Sequence, residues 1–331
     1  MTAPAKLSAE YARPEAGSGR SILRRMATPA IVALILVIAP LAFQSGYHFR
    51  IGALVSISAL AVVGLNILMG LAGQVSIGHA GFYGIGAYAV AILPGQVGLH
   101  PLLALLAGAV ACGLIAFVIG RPILRLRGYY LVVATLGLGM LVAMVLNNEV
   151  WLTGGPDGML VPKPQIGDLR LSGPRIWYWI SGGILVVGML IAENLRQSPM
   201  GLAFTALHDS EVAASLMGID VARAKLAAFV VSAIYAGVAG GLLGFLNGMV
   251  TPDRAGFLQS IEFVTMAVIG GVGSVLGGVV GAAVLVVLPQ ALTFFHEYEQ
   301  LILGVIIVSM LVFMPEGLVP TILARLRGRR P

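Results

Sequence analysis

Apolar positions fill this chain in long unbroken runs, and the polar residues fall mostly between them. A helix that crosses a bilayer needs roughly 20 apolar residues, fewer where it is broken or re-entrant. On that measure the sequence predicts spans at 26–44, 51–71, 75–93, 101–120, 128–148, 176–194, 225–248, 258–271, 276–290 and 299–315. The eighth and ninth are short enough to form one broken hairpin. The expected fold is an all-α polytopic membrane protein of 8–10 transmembrane helices, ten by this layout. Residues 1–25 read as a disordered cytoplasmic tail, 26–315 as the transmembrane domain, and 316–331 as a basic cytoplasmic tail. One stretch breaks the pattern. Ser198–Gly218, SPMGLAFTALHDSEVAASLMG, is polar and helix-compatible, with Arg196, Arg223 and Lys225 flanking it. A membrane protein that keeps such a segment (195–224) between two spans is presenting a surface to a soluble partner.

Composition agrees: 58% of residues are hydrophobic and 10% charged, with a mean hydropathy of +0.97, whereas about a quarter of a water-soluble domain is charged. The 44 glycines fit close helix approach within a membrane. A net charge of +6 suggests nucleic acid until its placement is considered. Lys6, Arg13, Arg20, Arg24 and Arg25 precede the first span, Arg121, Arg125 and Arg127 follow the fourth, and Arg196, Arg223 and Lys225 mark the polar segment. Arg325, Arg327, Arg329 and Arg330 close the chain, so fifteen of the twenty cations share one side. Arg50, Lys163, Arg170, Arg175 and Arg254 take the other. That bias places both termini and 195–224 in the cytoplasm and 149–175 outside. It is a membrane signature and excludes a nucleic-acid partner. Trp151, Trp177, Tyr178 and Trp179 at the outer ends of the fifth and sixth spans are expected at the interface. The basic N-terminus and apolar run resemble a secretory signal, but the run is long and further spans follow, so it reads as a retained helix. The single Cys112 forms no intrachain disulfide or cysteine cluster.

Glycine-interrupted segments carrying polar side chains point to transport pathways. Gly70–Tyr88, GLAGQVSIGHAGFYGIGAY, is such a segment. Asn66, Gln74, Ser76, His79 and Tyr83 are its pathway candidates, against the alternative that they are polar groups satisfied inside the bundle. His79 by itself reads as a hydrogen-bonded structural histidine, since His48, His100, His208 and His296 are too scattered to build a metal site with it. Glu262 joins the candidates as the carboxylate closest to an intramembrane position; beside Asp253 and Arg254, an outer-interface place is the expected one. A second glycine run, Ile269–Gly281, lacks the Gly-Lys-Ser/Thr of a phosphate loop, because Lys6, Lys163 and Lys225 follow Ala, Pro and Ala. It reads as a tight turn on the same side as the first break, which does not suit a simple inverted repeat. In the polar segment, opened by Ser198, the residues Glu211, Ala213, Ala214 and Gly218 spell E-x-A-A-x-x-x-G: a short helix with a glycine stop, Asp209 and Glu211 favouring its N-terminal end. No enzyme motif emerges. There is no HExxH, Ser76 lacks a G-x-S-x-G setting, and no paired intramembrane aspartates occur. An ion-coupled secondary transporter is the rival class, but it would carry several charges within its spans, and here only Glu262 and His79 qualify.

The strings GLAGQVSIGHAGFYGIGAYA, WLTGGPDGML, SPMGLAFTALHDSEVAASLMGIDVARAKLAAFVVSAIYAGVAGGL and TMAVIGGVGSVLGGVVGAA resemble the LivM-type permeases of branched-chain amino acid ABC importers, from about residue 50 to 315. The resemblance implies an ABC importer permease fold in a bacterial cytoplasmic membrane and a pore subunit for branched-chain or related amino acids. It implies pairing with a homologous LivH-type permease and docking of two cytoplasmic ABC ATPase subunits on 198–218 through Ser198, Asp209, Glu211, Ala213, Ala214 and Gly218. A periplasmic or lipid-anchored binding protein would deliver substrate at the loop carrying Gly154, Gly155, Pro156 and Asp157. ATP and Mg would be bound by the ATPases, with no cofactor in this chain. The E-x-A-A-x-x-x-G string is similar to the EAA motif of ABC permeases, departing from it where Val212 separates Glu211 from the alanines. Permeases for urea, short amides or other small organic acids remain the alternative within this class.

Overall fold

The computed structural model describes residues 19–126, 128–166 and 169–292, and those between 304 and 326 other than 306, 311, 313, 315 and 316. The expected tail at 1–18, most of the tenth span and the last five residues lie outside the described residues. Within them each apolar run has become a helix, the form that satisfies every backbone polar group internally. They are α1 (Gly19–Ile38), α2 (Gly46–Asn66), α3 (His79–Val97), α4 (Pro101–Ile123), α5 (Tyr129–Asn148), α6 (Val150–Thr153), α7 (Pro174–Arg196), α8 (Pro199–Asp209), α9 (Glu211–Leu216), α10 (Val221–Asn247), α11 (Phe257–Gly270), α12 (Val275–Leu292) and α13 (Leu318–Leu326). Start signals match their residues. Pro101, Pro174 and Pro199 sit in the first turns of α4, α7 and α8, where a missing N–H costs nothing. The Asp220 side chain accepts from the Arg223 N–H and caps α10.

Six helices, α2 (continued by a π-turn to Leu71), α3, α4, α5, α7 and α10, are long and apolar enough to cross a membrane. α11 and α12 are bent 120° at the 271–274 turn and together make a seventh candidate. Three factors separate this count from the ten expected spans. The apolar part of α1 with the turn that continues it covers only Met26–Leu41, the eighth and ninth runs form one bent pair, and the tenth is largely outside the described residues.

The centre of the bundle is the α2–α10 pair, with 72% and 67% of their apolar windows buried, against 33% for α4 and 28% for α5. α10 packs on α2, α3 and α4, and α2 also meets α7 and α12. The α3–α10 crossing is backbone-close: a Cβ on Gly86 would fall on the Gly237 carbonyl, and one on Gly240 on the Tyr83 carbonyl. α4 and α5 leave most of their apolar surface facing outward.

Two ends are defined by contacts. At one, Arg50 donates to Asn247, His100 is hydrogen-bonded to the Gln165 carbonyl, and β1 (Met159–Leu160) pairs antiparallel with the 249–250 strand, tying loop 149–175 to the turn after α10. At the other lie the breaks after α2 and α11 and the α8–α9 segment. The aromatic expectation needs correction. Trp151 and Trp179 are exposed, but Trp177 is buried and stacked on Phe245 at 5.2 Å. Tyr178 is likewise buried, its hydroxyl donating to the Leu36 carbonyl at 2.7 Å. Successive positions on a helix point to different faces, so an aromatic run cannot lie wholly at a lipid interface.

Candidate functional site

The polar residues of the first glycine-rich break converge. Asn66, Gln74, Ser76, His79 and Tyr83 are all buried. Chain 72–78 is irregular between the π-turn and α3, and Gly73, with φ +66, supplies its left-handed step. The His79 ring joins Ser76 Oγ at 3.1 Å through Nδ1 and Ser232 Oγ of α10 through Nε2. Around this pair, Thr135 Oγ1 of α5 accepts from the Ile77 N–H and Ser260 Oγ of α11 from the Ala80 N–H. Four helices therefore meet in one hydroxyl–imidazole knot, and His79 is the hydrogen-bonded residue its sequence setting suggested. Tyr83 sits one turn along α3, its ring edge-on to Phe263 at 5.1 Å. Glu262 stands apart from the knot. It is exposed on α11, accepting from Gln259 Nε2 at 2.8 Å while Gln259 accepts from Arg254.

Three buried side chains among the described residues are not satisfied, the Tyr88 hydroxyl being one of them. Both polar atoms of the Gln74 amide lack a hydrogen-bond partner, and Asn66, whose Nδ2 donates to the Ser274 carbonyl at 3.1 Å, leaves Oδ1 unpaired. Asn66 thereby ties the two glycine-rich breaks together. The backbones confirm the junction: a Cβ on Gly70 would lie on Gly273 of the α11–α12 turn.

The 198–218 segment holds two short helices, α8 and α9. Ser198 Oγ accepts from the Gly201 N–H at the start of α8, and Ser210 Oγ from the Ala213 N–H at the start of α9, each a Ser N-cap. Asp209 consequently ends α8, the unfavourable pole for an anion, and only Glu211 occupies a helix start. Gly218, at φ +81, supplies the expected stop. Phe204, Leu207 and Ala214 face inward, whereas Leu202, Val212, Leu216 and Met217 are exposed; Ala213 is exposed as well. By its sequence Lys225 is one of the cytoplasmic cations flanking the polar segment, at the first position of the span 225–248. Because α10 begins at Val221, the residue lies a turn inside that helix and is buried, paired with Glu211. The α8 end reaches the first break, where a Cβ on Gly73 would be 3.1 Å from His208 Cα.

Reasoning from sequence missed Thr135, Ser232 and Ser260, hydroxyls inside apolar runs, and the clamp role of Lys225. The described residues contain no group of three or more His, Cys, Asp or Glu that could hold a metal ion.

Residues 47–311 match the family model described as branched-chain amino acid transport system / permease component. Similar proteins include the high-affinity branched-chain amino acid transport system permease protein LivM of Escherichia coli (strain K12), 33% identical over 319 residues, covering 88% of this chain and 74% of that one. The LivM protein of Salmonella typhimurium is 35% identical over 283 residues, 78% of this chain and 66% of its own. The LivH protein of the same organism is 26% identical over 285 residues, 78% of this chain and 90% of its own. No solved structure matches.

Proposed function

The chain belongs to the branched-chain amino acid transport permease family, and from that premise we propose that it is the transmembrane pore subunit of an ABC importer for branched-chain amino acids. It spans a bacterial cytoplasmic membrane about ten times with both termini inside. It pairs with a homologous LivH-type permease and is driven by two cytoplasmic ATPases that bind ATP and Mg. A binding protein delivers substrate to the 149–175 end. This chain is no enzyme itself.

The observation that carries this reading is the α8–α9 knob. A solvated linker has no reason to expose Leu202, Val212, Leu216 and Met217 while burying Phe204, Leu207 and Ala214, and large apolar side chains exposed along one short segment suit an interaction site. The knob is stiffened by two Ser caps and the Glu211–Lys225 pair. A load applied there has a short route inward, from His208 to Gly73, and from Gly70 to Gly273 with Asn66 hydrogen-bonded to the Ser274 carbonyl. Both breaks flank the polar knot, so moving the knob moves the segments that carry Asn66, Gln74, Ser76, His79 and Tyr83, the proposed pathway side chains, with Glu262 nearer the substrate entrance.

The test is co-purification from native membranes in mild detergent of wild type and Leu216→Asp. Both residues at 216 are solvent-exposed choices, so folding is preserved. Expected is recovery of ATPase subunits with wild type and their loss with the variant. Recovery of the wild-type chain alone, with neighbouring ATPases expressed but unbound, would overturn the reading.

A further inference from the structure

The membrane-side face of the knob carries a cavity of about 1100 Å³, walled by the ends of α4, α8, α9 and α10. Phe117, Leu124, Leu226, Val230 and Val231 make its apolar wall, and Arg121, Arg125, Arg223, Lys225, Glu211 and Asp220 its charged rim. The acids are engaged: Asp220 with Arg223 at 2.9 Å, and Glu211 with Lys225. Among the described residues no carboxylate pairs with Arg121 or Arg125. The Arg121 guanidinium lies over the Phe117 ring, 4.3 Å from its centroid, an arrangement that leaves its N–H edge open to an oxyanion. Arg121 also ends a continuous stripe. Leu103, Leu106, Val110, Leu114 and Phe117 are exposed at helical spacings of three and four along α4, and the next step is Arg121, with Arg125 in the turn just beyond the helix end.

We propose that this groove binds an anionic phospholipid of the inner leaflet, its phosphate held by Arg121 and Arg125 and its acyl chain lying on the Phe117–Leu103 stripe. The proposal rests on the cytoplasmic placement of this end given above. Two uncompensated cations joined to an apolar track match a headgroup with a net negative charge, and a zwitterionic lipid brings no net charge to satisfy them. Met200 of α8 and Glu211 of α9 share the cavity wall, so the bound lipid braces the knob from its membrane side.

The full chain, with whatever subunits accompany it, is placed in phosphatidylcholine nanodiscs titrated with phosphatidylglycerol, and retained lipid is read by native mass spectrometry. Wild type is expected to hold phosphatidylglycerol, with phosphatidylcholine unable to replace it. A basic residue near an anionic surface contributes about fivefold in binding. Arg121→Gln with Arg125→Gln should therefore weaken retention by roughly twenty- to thirtyfold, with unchanged thermal stability, and Lys163→Gln at the opposite end should change nothing. Equal retention by the double variant, or equal binding of phosphatidylcholine, overturns the proposal. So does a photo-crosslinker at the exposed Leu114 of the stripe that captures protein rather than lipid. Lipid mass is read whether or not ATPases come with the chain, so this result and the co-purification result fail independently.

Discussion

At Lys225 a single side chain fixes the knob. The ammonium-bearing side chain is 4% exposed and that of its partner Glu211 is 34% exposed, so the two ends of the pair are not equivalent. Glu211→Gln strands a buried cation and should cost about 2–3 kcal/mol, whereas Lys225→Met leaves a carboxylate that turns to water and should cost about 1 kcal/mol or less. The double change should recover most of the loss; equal thermal shifts for the two single variants would sink the asymmetry. Gln74 makes the opposite case. Its amide is buried with neither polar atom paired, a state that disfavours folding by about 1–3 kcal/mol. Gln74→Met should raise the melting temperature and, because an amide kept at such cost serves another conformation of the pathway, slow amino-acid uptake in proteoliposomes. A stabilised variant with unchanged uptake would remove Gln74 from the path. The sequence singled out Ser76 and His79 because they interrupt a glycine-rich run. It hid Ser232, 153 positions away from His79, and Ser260, 180 from Ala80, because a hydroxyl inside an apolar run looks the same whether it faces a neighbour or bonds its own helix.

Among the elements, α3 and α10 show what the glycines are for. Gly240→Ala would set a Cβ on the Tyr83 carbonyl, a backbone atom that cannot rotate away. It should cost about 3 kcal/mol or more. Gly137→Ala on α5, where nothing lies within 4 Å, should be neutral. Thermal denaturation of both in detergent checks the contrast, and similar losses would show the α3–α10 approach to be looser than described. The six long apolar helices, α2, α3, α4, α5, α7 and α10, were legible to within a few residues, since hydrophobic length needs no partner to be read. The bend was legible too: the eighth and ninth runs read as short enough for one broken hairpin about the second glycine run, and α11 and α12 fold back at that turn with Gly270 against Gly277. Within 198–218 the short helix from Glu211 to the Gly218 stop was legible, but the Ser210 cap and the end of α8 at Asp209 were not, because a serine inside an alanine-rich helix gives the same pattern.

For the whole molecule, the charge asymmetry and the contact geometry are independent and agree. The positively biased side of the sequence contains Gly70, the 198–218 segment and the second glycine run, and those segments touch in the folded chain through Gly73 with His208 and Gly70 with Gly273. The other side contains 149–175 and the turn after α10, which pair as strands. Sequence counting thus located the two ends, while which helices lie between them had to come from packing, since α2 and α10 are no more apolar than α4 yet are far more buried. Orientation follows as a prediction. Cys112 is the only cysteine and is buried, so a Cys112→Ala background accepts single reporters at exposed Trp151 and Leu216. An impermeant maleimide added to spheroplasts should label Trp151→Cys and leave Leu216→Cys unlabelled until the membrane is permeabilised. The reverse pattern would place 149–175 in the cytoplasm and the knob out of reach of any ATPase. Labelling of both sites without permeabilisation would mean that the polar segment and the loop share one side, which an even number of crossings between Trp151 and Leu216 would require. Through α7 the chain crosses once between them, and that single crossing is what the asymmetric result reports.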